Sequence, residues 1–140
     1  MAAEKKFTPN IVAFACNWGG FPLLESEDSD LSANVRLIRL MCSGRISVGL
    51  LLRAFELGAD GVAVFACDDG ECHFGFGALK GMEEFELARR MGYLLGIEDE
   101  RLIYYKVHPG DMGKAQKDMK KFVKKVRKLG RSNVKSGEGL

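Results

Sequence analysis

Apolar residues recur along the chain with two different periods. The short runs Asn10–Ala15 (NIVAFA), Val62–Ala66 and Leu102–Val107 (LIYYKV) are rich in β-branched and aromatic residues and predict buried strands. A fourth run, Asn34–Met41 (NVRLIRLM), reads the same way but is interrupted by Arg36 and Arg39. Between these runs the spacing changes to three and four residues. Ser47 is positioned to cap a helix running through about Leu57 (VGLLLRAFEL), and Gly58 stands where a left-handed C-terminal residue belongs. The turn Gly58–Gly61 (GADG) then leads into the third strand. A second helix is expected from about Met82 to Leu95, with Phe85, Ala88, Met91 and Leu95 on its apolar stripe and Gly96 at its end. A third is expected from an N-cap near Asp111 to about Leu129, its apolar face carrying Met119, Phe122, Val123, Val126 and Leu129.

Strands alternating with helices imply right-handed crossovers and a sheet covered on both faces. The expected architecture is α/β: one domain over residues 1–130, with a four-stranded, mainly parallel sheet flanked by helices, broadly flavodoxin-like. The polar, Gly/Ser-rich stretch 131–140 reads as a mobile tail. The stretch Asn17–Ala33 breaks the alternation. It holds Gly19, Gly20, Pro22 and the acids Glu25, Glu27, Asp28 and Asp30, so it reads as a functional loop rather than a crossover helix.

At 140 residues the chain has room for one sizeable core, and a composition 46% apolar and 29% charged is that of an ordinary globular domain. No apolar run approaches the roughly 18 residues of a membrane span. The opening MAAEKKFTPN lacks the apolar stretch of a secretory signal, so the cytoplasm is the expected compartment. The net charge of +2 excludes a global field for nucleic acid, but charge is unevenly spread. Between Lys114 and Arg131 the basic residues are Lys114, Lys117, Lys120, Lys121, Lys124, Lys125, Arg127, Lys128 and Arg131, against the single acid Asp118. This is either a solvated helix face or a docking surface for an acidic partner. Asp68–Glu100 has the opposite bias.

The candidate chemistry lies in four cysteines. Cys16, Cys42 and Cys67 each follow one of the first three expected strands, and Cys72 lies in the loop DDGECHFGFG after Cys67. In a parallel sheet all strand ends share one edge, so thiols far apart in sequence converge there. Four thiolates suit a [2Fe–2S] or [4Fe–4S] cluster or a structural zinc; thiol redox chemistry, or burial as small hydrophobes, would also account for them. A reducing compartment makes disulfides an unexpected use. Gly19, Gly20, Gly44, Gly70, Gly75 and Gly77 allow sharp turns that aim backbone N–H groups at sulfur, which favours a cluster. Trp18, Phe21, Phe74 and Phe76 are candidates for an apolar wall. His73 is a candidate iron ligand or hydrogen-bond donor to a cluster sulfur, or a loop histidine outside the site. Arg45 is a candidate counter-charge for an anionic cluster, or a surface ion-pair partner. No acid–base constellation or substrate pocket is legible, so the chain is not expected to be catalytic alone.

The segments Phe14–Trp18 (FACNW), Val35–Arg45 (VRLIRLMCSGR), Ala59–Val62 (ADGV) and Cys67–His73 (CDDGECH) resemble the delta, iron–sulfur subunit of methyl-viologen-reducing (F420-non-reducing) hydrogenases of methanogens and related anaerobes. The likeness spans about residues 8–130. It implies a [2Fe–2S] protein that carries electrons from a hydrogenase, or a formate dehydrogenase, to the flavin subunit of a heterodisulfide reductase, with Cys16, Cys42, Cys67 and Cys72 as ligands. One departure is visible: Gly19 stands where the family pattern Cys-Asn-Trp-Cys has its second cysteine. The alternatives are a cluster-free docking subunit of the same type of complex and a structural zinc protein.

Overall fold

The expected strands form one sheet in the computed structural model, which describes residues 8–16, 34–40, 45–67, 77–107 and 112–132. Strands β1 (Asn10–Cys16), β2 (Asn34–Leu40), β3 (Gly61–Cys67) and β4 (Leu102–Val107) lie in the order β2-β1-β3-β4. Every pairing is parallel. Helices α1 (Val48–Glu56), α2 (Gly77–Leu94) and α3 (Met112–Leu129) complete the α/β fold, with one 3-10 turn at Asp99–Arg101. The strand order is compatible with a flavodoxin-like domain.

The pleat divides the core into two layers. Ile11, Ala13 and Ala15 of β1, with Ala63 and Phe65 of β3, pack on Met119, Phe122, Val123 and Val126 of α3. Phe14, Val62, Val64 and Ala66 face the opposite way, onto Leu51 and Phe55 of α1 and Phe85 and Ala88 of α2. With both faces covered, a central strand cannot alternate with polar residues, which is why these runs are unbroken. β2 lies at the edge of the described sheet, where Arg36 and Arg39 reach water and the two arginines carry no burial cost. The helix α3 packs tightly on the sheet at Gly61, where a Cβ would stand 2.7 Å from Val126 Cγ2.

Helix ends follow local chemistry. Ser47 Oγ accepts the Leu50 N–H at 3.1 Å at the start of α1, as the sequence predicts. Gly58, Gly96 and Gly130, at φ 113°, 93° and 84°, follow the three helices in the left-handed region that glycine alone adopts freely. The expected N-cap Asp111 lies outside the described residues, as does the stretch 17–33.

Two expectations change. α2 starts at Gly77 rather than Met82, and its buried stripe is Gly81, Phe85, Ala88 and Gly92. Met91 and Leu95, which their size would place on that stripe, are 43% and 62% exposed. The reason is the close approach at Gly92, where Ile97 and Leu52 lie within ordinary van der Waals distance of the point a Cβ would occupy. A helix packs tightest where its side chains are smallest, and a reading weighted by large apolar residues passes over such a line.

A polar clasp closes the end of the sheet where the strands begin. Arg101, 1% exposed, donates from Nη1 to the carbonyls of Asp60 and Gly130 at 3.0 and 2.8 Å. Its Nη2 donates to the carbonyls of Leu129 and Arg131 at 3.3 and 3.1 Å, and its Nε to Glu98. Asp60 in turn accepts the backbone N–H groups of Asn10 and Ser132. The guanidinium thereby satisfies the last carbonyls of α3 and ties them to β3, so Arg131 and the buried Ser132 are held to the domain.

Candidate functional site

The opposite end of the sheet, where the strands finish, is where open parallel sheets offer a crevice. From β1 the chain goes to β2 on one side, and from β3 to β4 on the other. The gap between β1 and β3 is therefore the topological switch point. Cys16 and Cys67 are the last residues of those two strands. Both strands are one residue longer at this end than their apolar runs indicate, so each cysteine belongs to its strand rather than following it. In register Ala15 opposes Phe65, which sets Cys67 one step beyond Cys16 on the adjacent strand. Parallel strand spacing puts the two backbones roughly 6 Å apart.

Cys16 is 2% exposed and not in a disulfide. Its strand register places it beside Leu40, the last residue of β2, two positions before Cys42. Cys42, Cys72, His73 and Trp18 lie outside the described residues. Arg45 is exposed just before α1, whose N-terminus opens at this same edge. Arg39 near the end of β2 and Lys106 near the end of β4 are also exposed. Among the described residues, no three His, Cys, Asp or Glu side chains stand close enough to hold a metal ion.

The donor set is sulfur-rich and begins on rigid strand ends, so it suits a thiolate-bound group. A cluster at this edge would have Cys16 and Cys67 on its two flanking strands. One contributor escapes a reading of the sequence. Glu84 of α2 accepts the Val48 N–H at 3.0 Å and so closes a donor of the α1 N-terminus beside the rim. It lies 36 residues away, and no local pattern links the two.

An open parallel α/β domain that ends neighbouring strands in cysteine is the class this architecture defines. Residues 11–130 match the family described as methyl-viologen-reducing hydrogenase, delta subunit, and the chain belongs to that family. It is 33% identical to the vhc iron-sulfur subunit of the F420-non-reducing hydrogenase of Methanococcus voltae, over 96% of each sequence. It is also 33% identical to the iron-sulfur subunit of the F420-non-reducing hydrogenase of Archaeoglobus profundus, over 91% of this chain and 95% of the relative. A longer relative belongs to the ferredoxin/F420H2-dependent CoB-CoM heterodisulfide reductase of Methanosarcina acetivorans. It is 29% identical over 91% of this chain but only 16% of its own length. A domain like this one thus occurs both as a separate polypeptide and as a segment of a larger reductase chain. No described helix is long and apolar enough to cross a membrane.

Proposed function

We propose that the protein is a [2Fe–2S] electron-transfer subunit that relays electrons from a hydrogenase, or a formate dehydrogenase, to the flavin subunit of a heterodisulfide reductase. The observation that carries this reading is that Cys16 and Cys67 close the two strands flanking the switch point, in a chain whose relatives are named iron–sulfur subunits. Cys42 and Cys72 complete the ligand set in this proposal, one two residues past β2 and one five residues past β3. A bound [2Fe–2S] cluster supplies a centre that accepts and returns one electron at a time. Everything else is the work of the chain. Two neighbouring strand ends fixed in a hydrogen-bonded ladder hold the backbones of Cys16 and Cys67 at constant separation. Burial of Cys16 keeps water from its thiolate. Arg45 would offset part of the cluster's negative charge, with Trp18 as a candidate apolar neighbour and His73 as a candidate hydrogen-bond donor.

The test is anaerobic purification followed by metal and sulfide assay, absorption and paramagnetic resonance. Iron and acid-labile sulfide at about two per chain, with a signal on one-electron reduction, are the expected result. Replacing Cys16, Cys42, Cys67 or Cys72 with serine, one at a time, should sharply lower iron content while the fold persists. A colourless, iron-free protein would favour a docking subunit without a cluster, and one equivalent of zinc a structural zinc site. Gly19→Cys addresses the family's missing cysteine. A sharp rise in cluster occupancy would mean that the other four thiols are an incomplete set.

A further inference from the structure

We infer that the exposed face of α3 is a docking surface for an acidic protein face, the one presented by the redox partner of the reading above, on which this inference rests. Lys114, Lys117, Lys120, Lys121, Lys124, Lys125, Arg127 and Lys128 are all exposed, and they take up nearly every position that the buried stripe leaves. The helix has one acid, Asp118, which is buried and bonded to Lys114 at 3.1 Å. By contrast, Arg53 pairs with Glu56 on α1, and Arg89 with Glu86 and Asp99 beside α2. Among the described residues, the sheet face under α3 presents Ile11, Ala13, Ala15, Ala63 and Phe65.

Folding does not require this arrangement. Lys117–Lys121, Lys120–Lys124, Lys121–Lys125 and Lys124–Lys128 are like-charge pairs one turn apart, and each weakens the helix. Alternating signs would cover the same buried stripe at lower cost, so the uniform charge points to something outside the chain. A lipid surface is a poor fit, because interfacial binding needs a free apolar face and Met119, Phe122, Val123 and Val126 are spent on the sheet. Nucleic acid is a poor fit too, since no exposed aromatic on α3 offers a base a stacking surface. Lysine, a flexible point charge, suits long-range steering of a protein encounter, which is how transient redox partners meet. α3 also starts where β4 ends, so Lys114 and Lys117 lie at the same pole as Cys16 and Cys67. A partner drawn to this face arrives beside the cysteines.

The experiment uses the full chain and the purified flavoprotein subunit of a heterodisulfide reductase, with association rates measured across a salt series. The variant carries Lys117→Glu, Lys121→Glu, Lys124→Glu and Lys128→Glu, four positions on one stripe of α3. A milder variant with glutamine at the same positions serves if the first does not fold, and Arg90→Glu on α2 is the control. Support would be an association rate about 10–100-fold lower for the variant at low salt, a gap that closes as salt rises, with iron content and the control unchanged. Equal rates and equal salt slopes, with electron transfer intact, would overturn the docking surface and leave the electron-transfer reading standing. A wild-type chain that neither binds the flavoprotein nor reduces it would overturn both. Tighter binding to a DNA duplex or to phosphatidylglycerol vesicles would overturn the protein partner. So would salt-sensitive self-association that the substitutions abolish, by assigning the face to a second copy.

Discussion

Arg101 shows how much of this fold depends on single residues that carry no motif. Its buried guanidinium meets four backbone carbonyls and the half-exposed carboxylate of Glu98. Arg101→Ala should destabilise the domain by about 3–5 kcal/mol, since it strands desolvated acceptors and leaves Glu98 without its partner. Arg101→Lys should recover only part of that, because an ammonium cannot reproduce the planar fork. Urea denaturation of both variants checks the order. Nothing near Arg101 in sequence marks it: in DERLIYY it reads as one more surface charge before a strand, and its partners at 60 and 129–131 come from remote segments. Cys16 is the opposite case. Its place at the end of an apolar run is legible, and the structure moves it by one residue, from just after the strand to the strand's last position.

At the scale of elements, the sequence signals that held were those with a local physical cause. Ser47, the three helix-ending glycines and the stripe of α3 all act within one or two turns of the chain. The α2 stripe held at Phe85 and Ala88 and failed at Met91 and Leu95, because the packing line runs on through Gly92, against Leu52 of α1 and Ile97. The start of α1 combines both kinds of information, one cap from its own Ser47 and one from Glu84 on α2. Ser47→Ala should cost about 1 kcal/mol, and Glu84→Gln less, since the amide oxygen still accepts. The two losses should be close to additive in thermal unfolding if the two N–H groups are satisfied independently.

For the molecule as a whole, the two ends of the sheet differ in kind. Where the strands begin, Arg101 and Asp60 knit β1, β3 and the end of α3 into one rigid pole. Where they finish lie Cys16 and Cys67, the exposed cations and the start of the basic helix. Stability should respond to pH at both extremes. The Glu98 carboxyl is held below its ordinary value by the hydrogen bond from Arg101, so its contribution is present above that value and fades as acid protonates it. Tyr105, which donates to the Asp118 carbonyl, is pushed up to about 12 by burial and then by the Asp118 charge. The unfolded chain ionises first, so stability should fall as pH rises from 10 toward 12. Tyr105→Phe should flatten the alkaline limb of a stability–pH curve, and Glu98→Gln the acid limb.

Read by itself, the sequence determined the class of fold, the four strands, the Ser47 cap and the helix-ending glycines, the basic face of α3 and the family. Each of these is written in neighbouring residues or in a motif, because periodicity, capping and turn chemistry are short-range. The tertiary structure alone decided the strand order, and with it that β1 and β3 are neighbours, the one ending at Cys16 and the other at Cys67. It also decided the Arg101 clasp, the Glu84 cap and the glycine-lined face of α2. These depend on contacts between segments tens of residues apart, where the partner is set by how layers stack and not by what precedes or follows along the chain.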